Sequence, residues 1–227
     1  MPSTLLTAVS WVSLGVAFIC AGIVLYDMFA KGYRQKMFIM QWVWPITCLY
    51  AGPLALWFYY KYGRRSSPKW QKAHKEDGEY GEMVSTSIGA SHCGAGCTLG
   101  DIIGANIVFL LGLQIAGMAL WSEYIINFSL AFILGIAFQY YSIAPMRGLG
   151  FKQGIIAALK ADTLSLIAFE VGVFGFMAVM QFVLFPSGIH PNEAAYWFLM
   201  QIAMILGFVT SYPVNVWLIR RGIKEAM

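Results

Sequence analysis

One short stretch concentrates the groups that could do chemistry: Ser91-His92-Cys93-Gly94-Ala95-Gly96-Cys97-Thr98-Leu99-Gly100-Asp101. Cys93, Cys97 and Asp101 recur at every fourth position, so a helix stacks them on one face. A disulfide needs Cβ atoms about 3.5–4.5 Å apart. Helical neighbours four apart hold theirs about 5–6 Å apart. A regular helix therefore disfavours a direct bridge. One metal ion held by two thiolates fits better, with zinc–sulfur bonds near ~2.3 Å. A cytoplasmic end would also keep these thiols reduced. The expected ligand is a soft metal, Cu(I) or else Zn(II), held by Cys93 and Cys97 with Asp101 on the same face. His92 points about 100° away from Cys93. It joins the group only if the helix opens near Gly94, or it acts from behind the ligands. The glycines make opening possible. The competing reading is a small-residue helix contact whose thiols are inert.

Membrane-depth acids are the second signal. Asp162 and Glu170 fall in one long apolar run, where ionisable groups are costly and mark partners, cavities or ion paths. Both are candidates for a proton or ion path. For Asp162 the alternative is a helix cap, and for Asp27 it is pairing with Lys31 one turn on. Gly96, Gly100 and Gly104 form a smooth stripe beside the thiols, and such stripes let membrane helices approach closely. Asn106, Gln114, Asn127, Gln139, Gln181, Gln201 and Asn215 are assigned to packing. Met177, Met180, Met200 and Met204 are core filler before they are metal ligands. Cys20 and Cys48 stand alone in apolar runs and read as small buried hydrophobes.

These groups need a scaffold, and the composition says which. Of 227 residues, 59% are hydrophobic and only 11% charged, against about 25% in soluble domains. So few charges cannot cover a water-facing surface. The chain is expected to be an all-α membrane helix bundle in a lipid bilayer, as a single membrane domain. Its 8 Trp and 12 Tyr suit bilayer interfaces. Six apolar runs approach the ~20 residues that a span requires, near 5–29, 38–60, 88–121, 124–142, 157–185 and 195–219. The division reads as two N-terminal helices (1–60), a charged cytoplasmic loop (61–83) and a four-helix core (84–227). The first run is too long for a signal-peptide core and lacks a basic leader, so it is expected to stay as an anchor. The second carries Trp44-Pro45 and Gly52-Pro53, which predict a kink or a re-entrant break.

Orientation follows the basic loops. Six spans put both termini inside, with Lys61 to Lys75, Arg147 to Lys160 and Arg220 to Lys224. Lys31, Arg34 and Lys36 then fall on the wrong side. A re-entrant second segment would invert the first helix and change that conflict. The net charge of +4 is spent on bracketing spans, so no nucleic acid partner is expected.

Several segments together carry a resemblance. They are Trp44-Pro45 with Ala51-Gly52-Pro53-Leu54-Ala55-Leu56-Trp57, His92-Cys93 to Gly96-Cys97 with Gly100-Asp101, Ala161-Asp162-Thr163 with Ser165 and Glu170, and Pro213-Val214-Asn215 with Trp217-Leu218-Ile219. The chain resembles a prokaryotic integral-membrane family known as a domain of unknown function, numbered four-three-nine-six. Shorter members resemble only the last four spans, which implies that His92 to Ile219 is the core. The family often has Glu at the Asp101 position, which keeps the carboxylate. Its acid-and-amide run after the Glu170 position is replaced here by apolar Val171 to Gly175. The resemblance brings no activity with it.

The sequence therefore points to a plasma-membrane protein of a prokaryote that handles a transition metal, most simply Cu(I), as transporter or binding subunit. The metal ligands would be His92, Cys93, Cys97 and Asp101. The alternatives are an accessory subunit of a homo-oligomer or larger membrane complex, and a membrane thiol-redox protein. Nucleotide-binding and hydrolase motifs are missing, so ATP hydrolysis and hydrolase activity are not expected.

Overall fold

The computed structural model describes residues 3–75, 80–186 and 188–224. Glu76 to Glu79, in the acidic half of the charged loop, and Ser187 lie outside the described residues. Within the described residues the fold is all-helical. The helices are α1 (Thr4–Phe29), α2 (Met40–Lys61), α3 (Pro68–His74), α4 (Glu82–Leu111), α5 (Ala119–Arg147), α6 (Phe151–Val179) and α7 (Ala194–Arg220). A π-turn, Met180–Leu184, extends α6.

Five helices are long and apolar enough to cross a membrane: α1, α4, α5, α6 with its π-turn, and α7. The chain is a multi-pass membrane protein. Large apolar side chains such as Leu110, Ile133, Val183 and Val209 stand on the outer surface, where lipid rather than water satisfies them. α4 is central. In its apolar window 56% of residues are buried against the other helices, compared with 28–33% in the other four spans. α4, α5, α6 and α7 pack in a ring, while α1 packs on α2 and α7.

The second apolar run does not cross. Its Trp, Tyr and Pro residues dilute its hydropathy, and α2 is not among the five spans. Instead α2 is a helical hairpin. Gly52 has φ 50 and ψ −125, outside the helical region, and Pro53 then opens the second arm with its preset φ. The Trp44 ring centroid lies 5.7 Å from that of Tyr59. In a straight helix fifteen residues would separate them by about 22 Å. Both arms therefore enter and leave at the same end of the bundle. Gly63 closes the return: a side chain there would meet the Trp44 ring at 2.7 Å. The Gln35 amide donates to the Gly63 carbonyl at 3.0 Å.

The hairpin rearranges the charges. Residues 30–39 lie beside 62–75, as the Lys69 ammonium shows by donating to the Lys31 carbonyl at 2.6 Å. Lys31, Arg34 and Lys36 thus join the other basic segments. All 15 Lys and Arg residues fall in the half of the molecule toward this end, here called the basic end. Asp27, expected to pair with Lys31, instead pairs with Arg64 at 3.0 Å and accepts from the Tyr59 hydroxyl at 2.9 Å. This clamp holds the end of α1 against the second arm of α2. The opposite end holds residues 112–118 and 188–193 and the start of α1, where Trp11 lines a groove with Pro191 and Glu193. The start of α1 and Lys224 therefore lie at opposite ends. The expectation of both termini on one side assumed a second crossing that α2 does not make.

Candidate functional site

The expected site helix is continuous. α4 runs unbroken from Glu82 to Leu111, so Gly94 opens nothing. Its glycines serve approach instead. Gly96 faces Gly135 of α5, where an added Cβ would fall 2.7 Å from the Gly135 Cα, and Gly100 faces Ala131 at 2.9 Å from its Cβ. Gly104 faces Asn127. α4 and α5 are thus in backbone contact along this stripe. Gly94 lies on another side, where the Phe169 ring edge (3.0 Å) and the Tyr50 hydroxyl (3.2 Å) converge on its missing side chain. The tip of the α2 hairpin and α6 meet α4 there.

Continuity of α4 fixes the fate of His92. It turns from the thiols, with Nδ1 3.4 Å from the Met40 sulfur and its ring edge-on to Phe138 at 6.0 Å. Cys93 and Cys97 are fully buried, free thiols, side by side on the face toward α6 and Tyr50. No three His, Cys, Asp or Glu side chains among the described residues converge closely enough to hold a metal ion. The four-ligand set His92, Cys93, Cys97 and Asp101 is therefore not assembled. The physical reason is the 100° step between His92 and Cys93 on an unbroken helix, together with the full turn from Cys97 to Asp101.

What the fold does assemble is a column of buried polar groups. Glu170 of α6 faces Cys97. Asp101 follows one turn on, with Glu170 and Glu123 as its nearest charged neighbours. Glu123 of α5 accepts from the Tyr196 hydroxyl of α7 at 3.1 Å. It lines a polar cavity of about 230 Å³ at the end opposite the basic one, with Gln114, Gln181 and His190. Toward the basic end, beyond Cys93, lie His92 and a buried pair, Asp162 with Lys224 at 2.8 Å.

The column is short of hydrogen bonds. Among the described residues, both oxygens of Asp101 and both of Glu170 meet no N–H or O–H group, and the Thr98 hydroxyl and the Nε2 of His92 also lack a partner. The Cys97 thiol is the polar group beside Glu170, and a thiol is a weak donor. Asp101 is 0% and Glu170 2% exposed, so bulk solvent does not reach them. Native interiors seldom leave such groups unmet, and a cluster of them calls for a functional reason. Asn215 illustrates the ordinary case: its amide donates to Ser165 at 2.6 Å and to the Ser211 carbonyl at 2.9 Å.

Asp162 is no helix cap. α6 begins at Phe151, three turns earlier, because the helix starts before its apolar stretch does. Sequence reasoning missed Tyr50, Glu123 and Tyr196 as functional residues, and read Lys224 only as one of the basic residues that set orientation. Hints existed in the Gly52-Pro53 break beside Tyr50 and in the polar Glu123 at a span edge. The Glu123–Tyr196 contact, 73 residues apart in sequence, had no local signal.

Comparison with known proteins adds the family and nothing further. No curated protein and no solved structure matches the chain. The family model described as Domain of unknown function (DUF4396) matches residues 84–224, which contain nearly all of α4 to α7, and with them the thiols, Asp101, Glu123, Asp162, Glu170 and Lys224. The column is thus carried by the matched region and roofed by the α2 hairpin outside it, and the chain belongs to the DUF4396 family.

Proposed function

We propose that the chain is a membrane transporter of a small cation, with Cu(I) as the cargo its thiols select. The observation that carries this reading is the pair Asp101 and Glu170: two carboxyl groups sealed inside a membrane bundle, with four oxygens that no N–H or O–H group of the described residues meets. An uncompensated carboxylate in such a place is expensive. A passing cation supplies the compensation. Glu123 and Tyr196 form the entry from the polar cavity, Asp101 and Glu170 carry the cation inward, and Cys97 and Cys93 are the soft station beyond. Two thiolates suit Cu(I), which accepts few ligands, better than Zn(II), which usually takes four.

The distribution of Lys and Arg supports an orientation. Basic residues mark the cytoplasmic side, so in the plasma membrane of a prokaryote the basic end would face the cytoplasm. The polar cavity and the start of α1 would face outward, with Lys224 inward.

The test is flux in sealed proteoliposomes under reducing conditions. The parent should take up Cu(I). Asp101→Asn, Glu170→Gln and the Cys93→Ser/Cys97→Ser pair should each lose most of the rate. Uptake of protons or alkali cations, but not of Cu(I), would keep the carboxylate path and remove the metal cargo. No flux of any cation would overturn the reading in favour of an accessory subunit of a larger complex.

A further inference from the structure

The inner end of the column is closed by a residue of the chain itself. Of all the lysines and arginines, Lys224 is the one that is buried. Local sequence puts it there. α7 ends at Arg220, and Gly222 takes φ 68, a left-handed conformation that glycine adopts without strain. The chain reverses: the Ile223 amide donates to the Leu218 carbonyl at 3.0 Å and the Lys224 amide to the same oxygen at 3.3 Å. The side chain then enters the bundle past Gly89 of α4, where a Cβ would lie 3.9 Å from the Lys224 Cε. Its Nζ reaches Asp162 Oδ1 at 2.8 Å, with both side chains 0% exposed.

A fixed strut does not explain this pair well. Burying an ion pair costs desolvation that the attraction repays only when hydrogen bonds satisfy the remaining valences. Here they do not: Asp162 Oδ2 has no partner among the described residues, although His92 lies nearby. Beside Oδ2 stand the Gly135 backbone and the Leu166 side chain: a Cβ on Gly135 would lie 3.8 Å from Oδ2 and 2.7 Å from Leu166 Cδ1, so apolar groups meet this oxygen. The carboxylate thus has one oxygen on an ammonium and one oxygen that no hydrogen bond from the described residues reaches.

We propose that Asp162 is a second cation site, at the inner end of the path, and that in the resting protein Lys224 occupies it as a tethered monovalent cation. The transported cation binds Asp162 by displacing the ammonium, which retracts about the Gly222 turn into water at the basic end. Lys224 then returns once the site empties. While it is seated, its charge and its bulk keep the inner end shut. The proposal rests on the cation-transport reading and adds to it a named inner site and gate.

The experiment combines flux with lysine protection. In proteoliposomes, Lys224→Met keeps the stem and removes the charge; the initial Cu(I) rate at subsaturating cargo should rise several-fold. Asp162→Asn should lose the rate, and the double variant should behave as Asp162→Asn. In the parent, with its basic end exposed, a membrane-impermeant amine acylating reagent read by mass spectrometry should spare Lys224 while it labels Lys72 and Lys152. Adding Cu(I) should bring Lys224 up to the level of those references. Lys224→Met with the parental rate, or protection of Lys224 that cargo leaves unchanged while flux proceeds, overturns the gate and leaves the transport reading standing. A parent with no flux overturns both. If Lys224→Met does not fold, the acylation of the parent decides alone.

Discussion

Replacing Glu170 by Met separates a functional carboxylate from a structural one. The two side chains are unbranched and of similar reach, and Met adapts its shape to the space it is given. Their helix propensities are nearly equal, so α6 itself should not respond. What changes is polarity. Glu170 places two oxygens in the bundle interior that meet no N–H or O–H group of the described residues, with the weak Cys97 thiol beside them, and an unmet buried polar group costs about 1–3 kcal/mol. Met removes that cost, and its thioether lies against Cys97, Phe169 and Val173, which are apolar or nearly so. The variant should therefore be more stable by about 1–3 kcal/mol. For a chain of this length each kcal/mol moves Tm by about 2–4 °C, so the expected rise is about 2–12 °C. Unfolding in detergent can be followed with a dye that fluoresces on reaction with the buried thiols, all four of which are free. The same variant should carry no cation flux. Gain of stability with loss of activity is the signature of a strained functional site. A fall in Tm of several degrees would refute the reasoning, because it would mean that Glu170 holds a partner that stabilises the bundle.

Three further outcomes follow from the packing and the hairpin. Gly100→Ala should be less stable than Gly175→Ala by about 1–3 kcal/mol, read as a Tm difference between the two variants. Both gain helix propensity, but only the first drives a methyl group into Ala131, while the space at Gly175 is open. Asp27→Asn should cost about 3 kcal/mol in thermal unfolding, because it leaves the Arg64 guanidinium at the clamp without its carboxylate. Single cysteines placed at Lys36, Lys75 and Arg147 should react with an impermeant maleimide from one side of the membrane, and a cysteine at Ser3 from the other; labelling of Ser3 with the rest would refute the hairpin topology.

The bundle itself was legible in the sequence because lipid imposes a simple demand. Long apolar runs with few charges have one stable answer. The glycine stripe was legible for the same reason, since a period of four on one helix needs no tertiary knowledge. The crossing count was not, because a hairpin of two apolar arms and a span of the same length look alike in hydropathy. What separates them is the Gly52 backbone, which turns where most residues would be strained, and the contact of Trp44 with Tyr59 that follows. Charge could have decided it: moving Lys31, Arg34 and Lys36 to the side of every other basic residue requires one re-entrant segment, and Gly52-Pro53 marks where it would turn.

The site shows where pattern reading stops. Spacing on α4 groups Cys93, Cys97 and Asp101 correctly on one face, but it speaks only of the helix that carries them. What those groups meet is decided by four other chain segments. α6 brings Glu170 to Cys97, α5 and α7 bring Glu123 with Tyr196 near Asp101, and the α2 tip brings Tyr50 over Gly94. A closed centre of Cys93, Cys97 and Asp101 would need all three within reach of one point, and an α-helix spreads i, i+4 and i+8 over about 12 Å. The same spread suits a path, in which a cation is passed between stations and no station holds it tightly. One helix with period-four donors, faced by a carboxylate from a second and closed at its inner end by a lysine from a third, is poorly built for retention and well built for passage.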